Sequence, residues 1–227
     1  MSRSRRITAA AVLGCSLLAV AAVAPADAAA RGPAPAGGSS GYVAQGGRYT
    51  SVAASWTQPA FSCAGGGTGA SYWVGLDGMT DATAEQAGTS TECSGGVASM
   101  SAWYELYPAA PVYFANPVSA GDRLSASVST GGTGTFTLKV TDVTKGWSQS
   151  ANRSLPGAQL SSAEVMTDVP ASGTGGGTAP GGSVLVSFTG ATVDGQPLGA
   201  SSPTAVEAPG TVVSPLTGGE AFTVSRG

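Results

Sequence analysis

A period of two in the apolar residues constrains the fold of this chain more than any other feature. Phe136, Leu138 and Val140 alternate with Thr135, Thr137, Lys139 and Thr141, and Leu124, Ala126 and Val128 alternate with serines. Successive side chains of an extended strand point to opposite faces, so such a run has one core face and one wet face, where a helix would need apolar residues three and four apart. Similar runs occur from Tyr49 to Thr57, Ser71 to Leu76, Ser99 to Tyr107, Leu160 to Met166, Ser183 to Phe188 and Ala221 to Ser225. Glycine-rich turns such as Gly65-Gly66-Gly67 and Gly175-Gly176-Gly177 separate them. Many short strands with turn signals between them predict an all-β fold, an antiparallel sandwich or barrel, with no capped helix, internal repeat or second domain.

The first residues do not follow this pattern. Arg3, Arg5 and Arg6 precede an apolar stretch from Ile7 to Val23, and Ala26-Asp27-Ala28 supplies a small-x-small cleavage pattern. This reads as an export signal over 1–28, too short and too Ala-rich for a membrane anchor. Residues 29–41 are dominated by Ala, Gly, Pro and Ser and are expected to form a flexible lead or propeptide remnant, with one folded domain over 42–227. Export predicts a secreted, extracellular protein with no stable membrane association. Setting aside Cys15 in the export stretch leaves Cys63 and Cys93, and an oxidising destination makes one disulfide between them the default. Of the ten Lys and Arg, three lie in the export stretch, leaving seven against twelve Asp and Glu beyond Asp27, a balance that disfavours a nucleic-acid partner.

The chain contains no histidine. Serine and cysteine triads need a base near neutrality, and hydrolytic zinc sites nearly always use imidazole ligands, so neither class is expected and no metal or cofactor is predicted. Asp-Thr-Gly and Asp-Ser-Gly are also missing, which argues against a paired-aspartate protease. Lys139 alternates as a solvent-facing strand residue and Lys145 sits beside Gly146, so both read as solvated surface and not as partners of a serine nucleophile. Any hydrolysis must therefore run on carboxylates, amides, hydroxyls and backbone.

Strand parity shows where such groups gather. Trp73, Gly75 and Asp77 share one face of their strand, opposite Tyr72, Val74 and Leu76; Trp103, Glu105 and Tyr107 share one face of theirs, opposite Met100, Ala102, Tyr104 and Leu106. An isolated tryptophan is most simply a core residue. An acid two positions away on the same face changes the balance, because an unpaired carboxylate in a core has a large desolvation cost. A cleft in which aromatics grip a ligand and acids do chemistry suits both observations, and a carbohydrate-binding cleft would look the same. Gln86 read alone is a loop amide capping its own turn.

Four strings in order, Tyr72-Trp73-Val74-Gly75-Leu76-Asp77-Gly78, Glu85-Gln86-Ala87-Gly88, Ala102-Trp103-Tyr104-Glu105-Leu106-Tyr107-Pro108 and Gly121-Asp122, followed by Ser162-Ala163-Glu164, resemble the pattern of the glutamic peptidases, the eqolisin family. The likeness runs from about Tyr49 to the C-terminal strand. It implies a jelly-roll or concanavalin-like sandwich of two antiparallel sheets and a secreted, acid-acting, monomeric endopeptidase that takes a polypeptide substrate and needs no cofactor. Carried over residue by residue, Glu164 and Gln86 match the catalytic pair, and Trp73, Asp77, Trp103, Glu105 and Tyr107 match positions that line the substrate cleft. Val165 and Leu106 stand where the family pattern carries aromatics, which reads as a change in packing or substrate preference.

The residue types fit peptide hydrolysis. Attack by water needs a base, an acid for the leaving amine and a donor for the oxyanion. In this reading Glu164 takes a proton from water and returns it to the amine nitrogen, while the Gln86 NH2 meets the oxyanion and its carbonyl oxygen holds the water. Two rivals share the same residues: a glycoside hydrolase with a Glu105/Glu164 carboxylate pair, and a non-catalytic carbohydrate- or protein-binding sandwich using the Trp73 and Trp103 face.

Overall fold

A computed structural model describes residues 38–63, 69–168 and 184–227. The export signal expected over 1–28 and most of the lead expected over 29–41 lie outside these residues. The described chain forms two antiparallel sheets. The first contains β1 (Ser39–Gln45), β3 (Gly69–Asp77), β4 (Ala84–Ser94), β5 (Val97–Tyr107), β6 (Val112–Tyr113), β10 (Ser162–Asp168) and β13 (Thr204–Val206), in the order β13-β1-β10-β3-β4-β5-β6. The second contains β2 (Ser51–Thr57), β7 (Arg123–Thr130), β8 (Thr135–Asp142), β9 (Trp147–Ser154), β11 (Val184–Val193), β14 (Thr211–Val213) and β15 (Phe222–Arg226), in the order β14-β15-β11-β2-β7-β8-β9, with the two-residue β12 (Gln196–Pro197) beside β11. The expected sandwich is the observed one.

The inward faces meet in one core that includes Val52, Ala54 and Trp56 of β2, Leu124 to Val128 by alternation in β7, Phe136, Leu138 and Val140 of β8, and Tyr72, Val74 and Leu76 of β3. Period-two burial is plain in β2, β7 and β8 of the second sheet, whose outer face is mostly serine and threonine. In the first sheet the rule of one wet face per strand fails: β3 is buried along its whole length on both faces. Its second face lies under a separate apolar cluster of Val43, Trp73, Trp103 and Met166, with Met79 and Val206 packed against it.

Three further details depart from the sequence reading. β1 opens at Ser39, three residues before the expected start at Tyr42, because Ser39, Ser40 and Gly41 pair with Asp168, Thr167 and Met166 of β10. Gln86 is not on a loop but inside the eleven-residue β4. This strand lacks a clean apolar alternation because its inward face is polar: Thr89 and Thr91 are buried there and bond to the Gln58 side chain, and Thr89 also accepts from Trp56 Nε1. Lys145, read as free surface, is ion-paired with Asp122, whose carboxylate also accepts from the Ser119 amide. Lys139 is exposed as expected. The Cys63–Cys93 disulfide is present and ties the β2–β3 connection to the far end of β4.

Candidate functional site

Register across the first sheet sets Glu164 of β10 opposite Gly75 of β3, Gly75 opposite Gln86 of β4, and Gln86 opposite Glu105 of β5. Residues opposite one another in adjacent strands present their side chains to the same face, so these four form a row across the outer side of the sheet. The next row is Met166, Trp73, Gly88 and Trp103. The Glu164–Gln86 row and the two tryptophans are thus on neighbouring rows of one sheet face.

Glu164 and Gln86 touch although a strand lies between them. Gln86 Nε2 donates to Glu164 Oε1 at 2.7 Å, and Trp73 Nε1 donates to the same oxygen at 3.0 Å. Gly75 makes the reach possible: a Cβ built there would lie 2.8 Å from Glu164 Oε1 and 2.9 Å from Gln86 Cγ. A mid-strand glycine forfeits packing, and a close approach by neighbouring groups is one of the few physical reasons for it. Its position between Trp73 and Asp77 on the cleft face was readable from parity; its role was not.

Glu164 is buried, and the loss of solvent raises its carboxyl to about 7, against the pull of the Trp73 and Gln86 hydrogen bonds toward ionisation and with a further push from Asp77. Burial likewise raises Glu105 to about 7, and its Oε1 has no protein hydrogen-bond partner among the described residues. The buried Trp103 Nε1 is also unpartnered among them. A donor and a carboxyl oxygen are therefore left on this face beside the Glu164–Gln86 contact.

Asp77 has another engagement. Fully buried, with a left-handed backbone at φ 59°, it accepts hydrogen bonds from the amides of Gln159 and Leu160 through Oδ2 and of Ser161 through Oδ1. The next residue, Ser162, begins β10, so Asp77 anchors the entry to the strand that carries Glu164. Ser161 Oγ donates to Asp81 Oδ2 at 2.5 Å, which fastens the β3–β4 connection to the same point. Tyr107 is half-buried at the end of β5, opposite Ala84. Sequence reasoning missed Val43, Met79 and Val206 as companions of the two tryptophans, since nothing in a single sequence tells which strands flank the site. A groove of about 720 Å³ on the outer face of the second sheet, lined by Thr57, Gln58, Arg123 and Val143 among others, contains no carboxylate and none of the predicted site residues.

Comparison with known proteins agrees with the fold. The model of the peptidase A4 family matches residues 38–217. Among solved structures, scytalido-glutamic peptidase with a transition state analog inhibitor aligns with a TM-score of 0.69 at 21% identity, over 84% of this chain and 98% of that one. SCP-B, a member of the eqolisin family in complex with a tripeptide, aligns at 0.63 and 20% identity over 84% and 98%. The aspergilloglutamic peptidase of Aspergillus niger aligns at 0.53 and 25% identity over 70% and 99%. No curated protein matches the sequence.

Proposed function

The chain belongs to the peptidase A4 family, the glutamic peptidases, and from that premise we propose that it is a secreted endopeptidase that cleaves polypeptides in acid with Glu164 and Gln86. The observation that carries the reading is the 2.7 Å contact between the Gln86 amide and a buried Glu164, with Trp73 on the same oxygen.

The sequence reading starts Glu164 as a carboxylate base. Burial changes the starting state, because a carboxyl raised to about 7 is protonated in acid. Glu164 then enters as the acid. Gln86 gives one Nε2 hydrogen to Glu164; the second is available to the substrate carbonyl oxygen, and its own carbonyl oxygen can hold the attacking water. Water forms the C–O bond, the C–N bond breaks, the Glu164 proton goes to the amine nitrogen, and a water proton replaces it. Glu164 ends neutral, as it began. Trp73 keeps Glu164 Oε1 in place, Trp103 and Glu105 face the substrate beside the pair, and Asp77 acts through β10 as a positioning residue.

The glycosidase alternative needs Glu105 and Glu164 as facing acids. Their backbones stand three strand steps apart, about 14 Å at roughly 4.8 Å per step, and Gln86 occupies the position between them. Export with removal of residues 1–28, and action as a monomer, complete the reading.

The test is cleavage of denatured casein by Glu164→Gln, Gln86→Ala and Glu105→Gln, each checked for folding by circular dichroism. The first two are expected to lose activity, Gln86→Ala by about a hundredfold or more and chiefly in kcat, while Glu105→Gln is weakened less. A dead Glu105→Gln beside a nearly normal Gln86→Ala would overturn the assignment in favour of a carboxylate pair.

A further inference from the structure

The inward face of β4 carries Glu85, Ala87, Thr89 and Thr91, paired across to Leu76, Val74, Tyr72 and Ala70 of β3 and to Leu106, Tyr104, Ala102 and Met100 of β5. Thr89 and Thr91 have hydrogen-bond partners in Gln58 and Trp56. Glu85 differs. It is completely buried, flanked by two leucines, and neither carboxyl oxygen has a protein partner among the described residues.

The charges around Glu85 make ionisation harder still. Asp77 of β3 and Asp81 of the β3–β4 connection both act on it with the same sign. From β5 the same face presents Tyr104, whose hydroxyl accepts from Arg153 Nε; that guanidinium is engaged there and with the Asn152 carbonyl. Of the opposing strands packed on β4, β7 turns Leu124, Ala126 and Val128 inward, and β8 turns Phe136, Leu138 and Val140 inward. Asp142, at the end of β8, bonds the Lys145 amide and belongs with the Asp122–Lys145 pair. No cation faces Glu85 from these elements.

We propose that Glu85 is a proton-operated latch of the catalytic sheet: neutral, it packs between Leu76 and Leu106; ionised, it cannot remain there, and β3, β4 and β5 separate together with the site they carry. A desolvated carboxylate without a partner is among the costliest groups to hold in an apolar interior. Burial, reinforced by Asp77 and Asp81, raises its carboxyl to about 8 from an ordinary 4.5. The folded state then holds this proton more tightly than the unfolded one. The stability so linked is fully present below the unfolded value and is lost as pH rises toward the folded one. The enzyme would disarm itself on leaving acidic surroundings, independently of which residues perform catalysis.

The test compares the parent with Glu85→Gln and Glu85→Met, held for an hour at steps from pH 5 to 9. Tertiary structure is read by near-ultraviolet circular dichroism, and residual casein cleavage after return to acid. The parent is expected to lose both cooperatively within this range. Both variants should keep their acid activity within about twofold and shift the midpoint of loss upward by at least about one pH unit. Loss at the parent's pH in both variants would overturn the proposal and move the sensitivity to Glu105 or Glu164. Failure of Glu85→Gln to fold even in acid would also overturn it, because a neutral glutamate and a glutamine have nearly the same shape. The dichroism needs no catalysis, so a wrong assignment of the catalytic pair cannot imitate either result.

Discussion

A methyl group at position 75 would sit 2.8 Å from Glu164 Oε1 and 2.9 Å from Gln86 Cγ, closer than carbon tolerates. Gly75→Ala is therefore expected to fold, to part the two side chains by a fraction of an ångström or more, and to lower kcat by about a hundredfold, the scale at which small misplacements act on chemistry. Normal turnover in Gly75→Ala would mean that the Glu164–Gln86 contact is not used. Trp73→Phe makes a complementary prediction. Its indole N–H favours the ionised form of Glu164, so removing it should raise that carboxyl further and carry the alkaline limb of kcat/KM to higher pH; a shift to lower pH would contradict the assignment. Parity made Trp73 and Gly75 legible as one face of their strand and Trp103 and Glu105 as one face of theirs, because alternation depends only on the chain being extended; that the two faces are the same side of one sheet follows from the register through β4. The raised carboxyl of Glu164 was not legible, since it follows from strands β1 and β3 closing over it, which are more than eighty residues away in sequence.

Strand β10 is held where it begins, not by its own residues but by Asp77 of β3 through three amides. Charge-assisted hydrogen bonds of this kind contribute more than neutral ones, roughly 1.5–3 kcal/mol each. Asp77→Asn should keep the fold, lower its melting temperature and reduce kcat with KM little changed, because the loss is in where Glu164 stands and not in substrate contact. A large rise in KM with unchanged kcat would instead make Asp77 a direct substrate ligand. The Cys63–Cys93 bridge fastens β4 seven residues beyond Gln86, and its removal by Cys93→Ala is expected to cost about 2–4 kcal/mol in urea unfolding. Strands β2, β7 and β8 were legible because exposed or half-exposed residues, mostly Ser and Thr, alternate with their buried apolar ones. β4 was not, because a polar inward face satisfied by Gln58 erases the contrast on which alternation depends.

At the scale of the whole molecule, the described residues gather three raised carboxyls in one sheet: Glu85 to about 8, and Glu105 and Glu164 to about 7, from an ordinary 4.5. Each binds its proton more tightly folded than unfolded, so the stability these three contribute is fully present below about pH 4.5 and declines as pH rises toward 7–8, by about 1.4 kcal/mol per pH unit for each group inside its window. Urea midpoints measured from pH 3 to 8 should fall toward neutrality; a rise would show that the acidic residues are better stabilised ionised in the fold than buried neutral. Activity should follow the same sign for a separate reason, with kcat/KM falling through about 7 as Glu164 loses its proton. The paired residues Gln86 and Glu164 are 78 positions apart and meet only when β10 adds to β3. A chain paired no further than β3, β4 and β5 owns the glutamine without the glutamate. On this assignment hydrolytic power is among the last properties the molecule acquires as it emerges from synthesis, and a half-made copy cannot digest its neighbours.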